Sequence, residues 1–190
     1  HALKYIVEQQ GIKPDWVILG EPSNLNIMRG HRGRALFKID IQGKSCHAAS
    51  PDIGDNAITA ASRLIFGIDL LAADLPTDPF LGSGTIAVTS IESQSASMNA
   101  IPDSCCFYVD RRLTLGETVT RAQAQIESII QHERLQATIA IAEYQTPTYT
   151  GHILDVREAF SAWSVDEKHP LIEAAETAVR MTLGYAPQVG

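Results

Sequence analysis

From Arg34 to Gln42 the chain alternates. Ala35, Phe37, Ile39 and Ile41 fall on one side and Leu36, Lys38 and Asp40 on the other, which predicts a half-buried strand. The period turns helical after Asp55. Ala57, Ile58, Ala61, Leu64, Ile65, Ile68 and Leu71 make a wide apolar stripe with Asp55 as the expected N-cap. Pro76 and Pro79 break the pattern, and GTIAVTSIES and CCFYVDRRL then predict two strands around the small polar loop SQSAS. Thr114 and Glu117 have capping-box spacing before a helix through Ile126, Ile129 and Ile130, and LQATIAIAEY predicts one more strand. The order from Arg34 to Tyr144 is β-α-β-β-α-β. This suits an α+β ferredoxin-like sandwich, in which two helices cover one face of four antiparallel strands.

The flanks do not fit into that sandwich. HALKYIVEQQ has a helical apolar period (Leu3, Ile6, Val7) and stops at Gly11. DWVILG, after Pro14, reads as a buried strand closing in GEPSN. Near the other end, Asp166 is cap-like, Pro170 starts a helix, and Leu171, Ala174, Ala175 and Val179 form its stripe. The expected organisation is a domain at 33–145 inserted into a second α/β domain, of which 1–32 and 146–190 are pieces.

Charge and cysteine content narrow the function classes. A net charge of −7 gives no electrostatic footprint for nucleic acid. No apolar run approaches the roughly 20 residues that span a bilayer, and the start of the chain is not patterned as a leader. The three cysteines make no disulfide framework: Cys105 and Cys106 are adjacent on a strand and point to opposite faces. A reducing, cytoplasmic setting is expected.

Three stretches carry candidate chemistry. In GKSCHAASPDIGDNAI, Cys46 and His47 stand side by side after a strand. Alternation points them apart, which disfavours a nucleophile–base pair, and two adjacent ligands are not a usual zinc set. Two readings stay open for His47: display at the rim of the sheet, or satisfaction by local backbone. In GEPS, Glu21 follows an apolar run, the place where α/β sheets put ligand-binding groups, although such a glutamate is commonly just exposed. In NAIPDSCCFYVDRR, Asn99 opens a turn, and Arg112 projects from the strand either to a ligand or into a structural ion pair.

Taken in order, GEPSN, RGHRG, GKSCHAASPDIGDNAI and NAIPDSCCFYVDRR resemble the di-zinc amidohydrolases and peptidases that include acetylornithine deacetylase, succinyl-diaminopimelate desuccinylase, aminoacylase and glutamate carboxypeptidase. CHAASPDIGDNAI and DRRLTLGET look closest to the hydrolases associated with selenium metabolism. The resemblance implies a ferredoxin-like lid, often the homodimerisation domain, inserted into a zinc-binding catalytic domain. It implies a small amide or peptide substrate bearing a carboxylate. Glu21 matches a zinc ligand. His47 matches the lid histidine that polarises the scissile carbonyl, usually in the partner subunit's site, and Asn99 and Arg112 match substrate-binding positions. The family's HxD motif, bridging aspartate, Glu-Glu pair and C-terminal histidine ligand are not in this sequence. A central fragment is therefore expected, inactive alone and holding its two zinc ions weakly or not at all. The alternative is a dimerisation or binding module without chemistry of its own.

Overall fold

A computed structural model of the chain describes residues 2–153 and 156–190, with side chains from Ile6 onward. Its elements are α1 (Ala2–Gln9), β1 (Gly33–Gln42), α2 (Ala57–Leu71), β2 (Thr85–Gln94), β3 (Ser104–Leu113), α3 (Val119–His132), β4 (Ala137–Ile141), β5 (Ala159–Phe160) and α4 (Pro170–Leu183), besides shorter ladders. The chain forms two compact units. One holds residues up to Arg29 and from Val165; the other runs from Gly30 to Ser164.

In the Gly30–Ser164 unit the sheet is antiparallel throughout, in the order β4-β1-β3-β2. With α2 and α3 between the strands, this is the ferredoxin-like arrangement that the periodicity predicts. Alternation sets the faces. Ala35, Phe37, Ile39 and Ile41 of β1 and Cys105, Phe107 and Val109 of β3 are buried beneath Ala61, Leu64 and Ile68 of α2 and Ile126 of α3. Each large side chain so buried contributes about 1.5–3 kcal/mol. The other face carries Arg34, Lys38, Asp40, Cys106, Tyr108, Asp110 and Arg112, which explains why Cys105 is buried while Cys106 is half-buried.

The structure moves several expected features. The N-cap of α2 is Asn56, not Asp55: its Oδ1 accepts from the N–H groups of Ile58 and Thr59, while Asp55 pairs with Lys44. Glu117 does reach back to the Thr114 N–H, at 2.8 Å, as in a capping box. Its other oxygen takes the guanidinium of the fully buried Arg111, so α3 starts later, capped by Thr118. Burial pushes the pKa of Arg111 down, and Glu117 opposes that shift. The expected edge of the inserted domain at 145/146 lies at 164/165 instead. After β4 ends, the chain returns and β5 takes the open half of β1, pairing Ala159 with Ala35.

The other unit contains α1 and α4 and the parallel pairing of Ile27 with Val189. The side chain of Leu3, counted in the period of α1, lies outside the described residues. Helix α4 starts at Pro170 as expected, but its cap is His169, whose Nδ1 accepts the Leu171 N–H at 3.1 Å, not Asp166. DWVILG is not a buried strand. Trp16, Val17, Ile18 and Leu19 are exposed and irregular, because no strand lies beside them among the described residues of this unit.

Candidate active-site elements

Two loops at one end of the sheet are zipped into a single piece. Lys44 and Asp55 exchange N–H···O bonds of 2.8 and 2.9 Å, closing the segment after β1 into a loop. The closure requires glycine at 54, where a Cβ would sit 2.6 Å from the Lys44 carbonyl oxygen and 2.7 Å from Cys46 Sγ. The Ala48 N–H donates to the Asn99 carbonyl at 2.7 Å, and the Ile101 N–H to the Cys46 carbonyl at 3.0 Å. Ser45 Oγ donates to the Ile101 carbonyl at 2.8 Å. GKSCHAAS and NAIPD are thus neighbours, and the structure brings His47 and Asn99 together.

His47 is exposed, and its Nδ1 accepts the Ala49 N–H at 3.1 Å. A nitrogen that accepts cannot carry the proton of a neutral imidazole, so that proton is on Nε2. Backbone thus satisfies Nδ1, and Nε2–H is left without a partner among the described residues. Cys46 takes no part, since its Sγ faces the Ser50 carbonyl at 3.2 Å. The Asn99 side chain is exposed and makes no hydrogen bond among the described residues.

Arg112 is elsewhere. It lies eight residues beyond Ser104 along β3, roughly 26 Å from the His47 end at ~3.3 Å per residue. Its Nε donates to Asp110 Oδ1 at 2.7 Å. Asp110 Oδ2 accepts from Arg34 Nε at 2.7 Å, and Arg34 Nη1 donates to Glu158 at 2.6 Å. The hydrogen bond to Asp110, with the charges of Asp110 and Glu158, pushes the Arg34 pKa up against a smaller effect of burial. Two arginines and two carboxylates balance. The Arg112 side chain is 44% exposed, and its Nη2 makes a longer contact of 3.5 Å to Asp110 Oδ2. Sequence reasoning missed Asp110 as its holder and Arg34 as the second cation on the same carboxylate. Asp110 was findable, two residues away on the same face of a strand; Glu158 joins only through the return of the chain.

Glu21 is exposed in the other unit; its backbone N–H donates to the Leu19 carbonyl at 3.1 Å, and its side chain makes no hydrogen bond among the described residues. No group of three or more His, Cys, Asp or Glu that could hold a metal ion occurs among the described residues. The donors present therefore do not fit a zinc site. No helix is long and apolar enough to cross a membrane among the described residues.

A sandwich of this topology has counterparts among known proteins. Residues 29–138 match the peptidase dimerisation domain of the M20 family. The chain belongs to that family of peptidases and amidohydrolases. It is 38% identical over 186 residues to the uncharacterized protein YgeY of Escherichia coli K12, covering 98% of this chain and 46% of that one. It is 29% identical over 133 residues to an acetylornithine deacetylase of Buchnera aphidicola, covering 67% of this chain and 35% of the relative. A tripeptidase structure from Staphylococcus aureus superposes with a TM-score of 0.63 at 13% identity, over 96% of this chain and 44% of that one. The chain thus spans about half the length, or less, of these relatives.

Proposed function

We propose that this chain supplies the lid and part of the catalytic domain of a metal-dependent hydrolase that cleaves an amide or peptide bond in a small substrate bearing a carboxylate. The Gly30–Ser164 unit is the lid, and the unit holding Glu21 belongs to the catalytic domain. The observation that carries the reading is the displayed Nε2–H of His47. A fixed donor aimed outward can hydrogen-bond a carbonyl oxygen and stabilise the negative charge that develops there as the carbonyl is attacked. Asn99, beside it with a free amide, can hold the same substrate. Arg112, held by Asp110 through Nε and more loosely through Nη2, can pair a substrate carboxylate through Nη1.

The length of β3, roughly 26 Å from Ser104 to Arg112, separates the His47 end from Arg112 and decides how these groups are used. No small substrate bridges it within one copy, so the two ends of one sheet serve two different sites. His47 and Asn99 act on a substrate bound mainly by a second copy. A homodimer through the lid fits this. Strand β2 pairs only with β3 among the described residues, and Phe66 of α2 is exposed beside it. Zinc is the metal proposed, on the resemblance, with Glu21 as the ligand from this chain. One carboxylate is not a zinc site, so the 190 residues alone are proposed to be inactive. Three free thiols suit the reducing cytoplasm.

Mixing tests the arrangement. In a polypeptide of the relatives' full length, His47→Ala subunits and Glu21→Ala subunits are each expected to have little activity. Mixed, they recover part of it, because one hybrid site regains both residues. Absence of recovery in verified mixed dimers contradicts a histidine supplied by the partner.

A further inference from the structure

The chain passes between its two units twice, at Arg29/Gly30 and at Ser164/Val165. On the Gly30–Ser164 side the two passages run antiparallel as a short ladder, Gly30 opposite Ser164 and His31 opposite Trp163. The return passage lies tight against the outgoing one. A Cβ at Gly33 would be 2.5 Å from the Ala162 nitrogen and 2.6 Å from the Phe160 carbonyl oxygen, which accounts for the second glycine of RGHRG.

A side-chain hydrogen bond across this ladder has a fixed polarity. Trp163 Nε1–H donates to His31 Nε2, and an indole can only donate. The other nitrogen, Nδ1, is 2.9 Å from the Arg32 carbonyl, which can only accept. Both contacts demand the same species: neutral imidazole with its proton on Nδ1. The ring also meets Trp163 edge-on at 5.2 Å and Phe160 at 5.6 Å. A second proton would go to Nε2 and place two donors face to face.

We propose that His31 and Trp163 form a proton-sensitive clasp on the two passages, closed while His31 is neutral and released when it is protonated. The ring is exposed, so protons reach it. Among the described residues no charged side chain pairs with the His31 ring, and those nearby are already engaged. Arg32 donates to the Ser83 carbonyl, and Arg29 to the Val165 carbonyl. Arg34 engages both Asp110 and Glu158, and Asp78 on the neighbouring hairpin accepts from the Phe80 and Leu81 N–H groups. Arg157, on the return segment, adds a further positive charge. Protonation therefore costs the indole bond without a compensating ion pair. Histidine is the one side chain whose ordinary charge change falls near neutral pH, so it is the group through which protons can act here.

The test is NMR of the ¹⁵N-labelled chain. At pH 8 the His31 ring should show a protonated Nδ1 and an unprotonated Nε2; the opposite tautomer overturns the proposal without any mutant. From pH 8 to 5 the Trp163 indole N–H signal, assigned with Trp163→Phe, should lose its hydrogen-bonded shift as His31 titrates. His31→Gln offers the indole a carbonyl oxygen that does not titrate, so its Trp163 signal should stay constant. A flat Trp163 signal in the unaltered chain, or the same pH course in His31→Gln, refutes the clasp.

Discussion

The Ala49 N–H donates to His47 Nδ1 at 3.1 Å, and Nε2 of the same ring has no partner among the described residues. One short backbone contact within a turn thereby selects the outward-facing nitrogen as a donor. A metal ligand would need the reverse, a bare Nε2 with Nδ1–H given to an acceptor. Ring nitrogen shifts of His47 at pH 8 should therefore report the Nε2–H tautomer. A predominant Nδ1–H form would return His47 to the pool of candidate ligands.

The open edge of β2 and the exposed Phe66 and Ile91, at 64% and 51%, form the surface proposed to meet a second copy. Sedimentation velocity should find the chain dimeric. Phe66→Lys with Ile91→Lys should make it monomeric with an unchanged circular dichroism spectrum, since both side chains are already largely exposed. A dimer that survives the pair of lysines places the interface elsewhere.

Cys106 is held as a thiol. Burial pushes its pKa up to about 11; the hydrogen bond to Asp40 and the charges of Asp40 and Glu92 add to this, and Lys38 opposes it. An acid whose folded pKa is raised favours the folded state below its unfolded value and loses that contribution as pH climbs through the folded one. The stabilisation from Cys106 is thus intact at neutral pH and fades between about pH 9 and about 11. Site-resolved alkylation should find Cys106 slow at pH 8 and fast only near pH 11, and Asp40→Asn should lower that midpoint. Rapid labelling at pH 8 would contradict the raised pKa of Cys106.

The sandwich was legible because β1, β3 and α2 each bury one regular face, and a period survives in sequence even when the partner is unknown. His47 and Asn99 were legible as loop residues framed by glycine and proline. The tautomer was not, because it depends on a backbone N–H whose direction follows from the turn. The failure at DWVILG has the opposite cause. An apolar run predicts a strand, but a strand needs neighbours, and Trp16 to Leu19 have none among the described residues of their unit. Likewise β5 joined the sheet through register with Ala35, which two residues of sequence do not reveal.

The most direct measurement compares kcat and bound metal in His47→Ala against the unaltered enzyme, in a polypeptide of the relatives' full length. Loss of a donor to a developing oxyanion should lower kcat by about a hundred- to a thousand-fold, with metal content and dimerisation unchanged. Unchanged kcat, or a loss of metal parallel to the loss of activity, would contradict the role of the His47 Nε2–H as that donor.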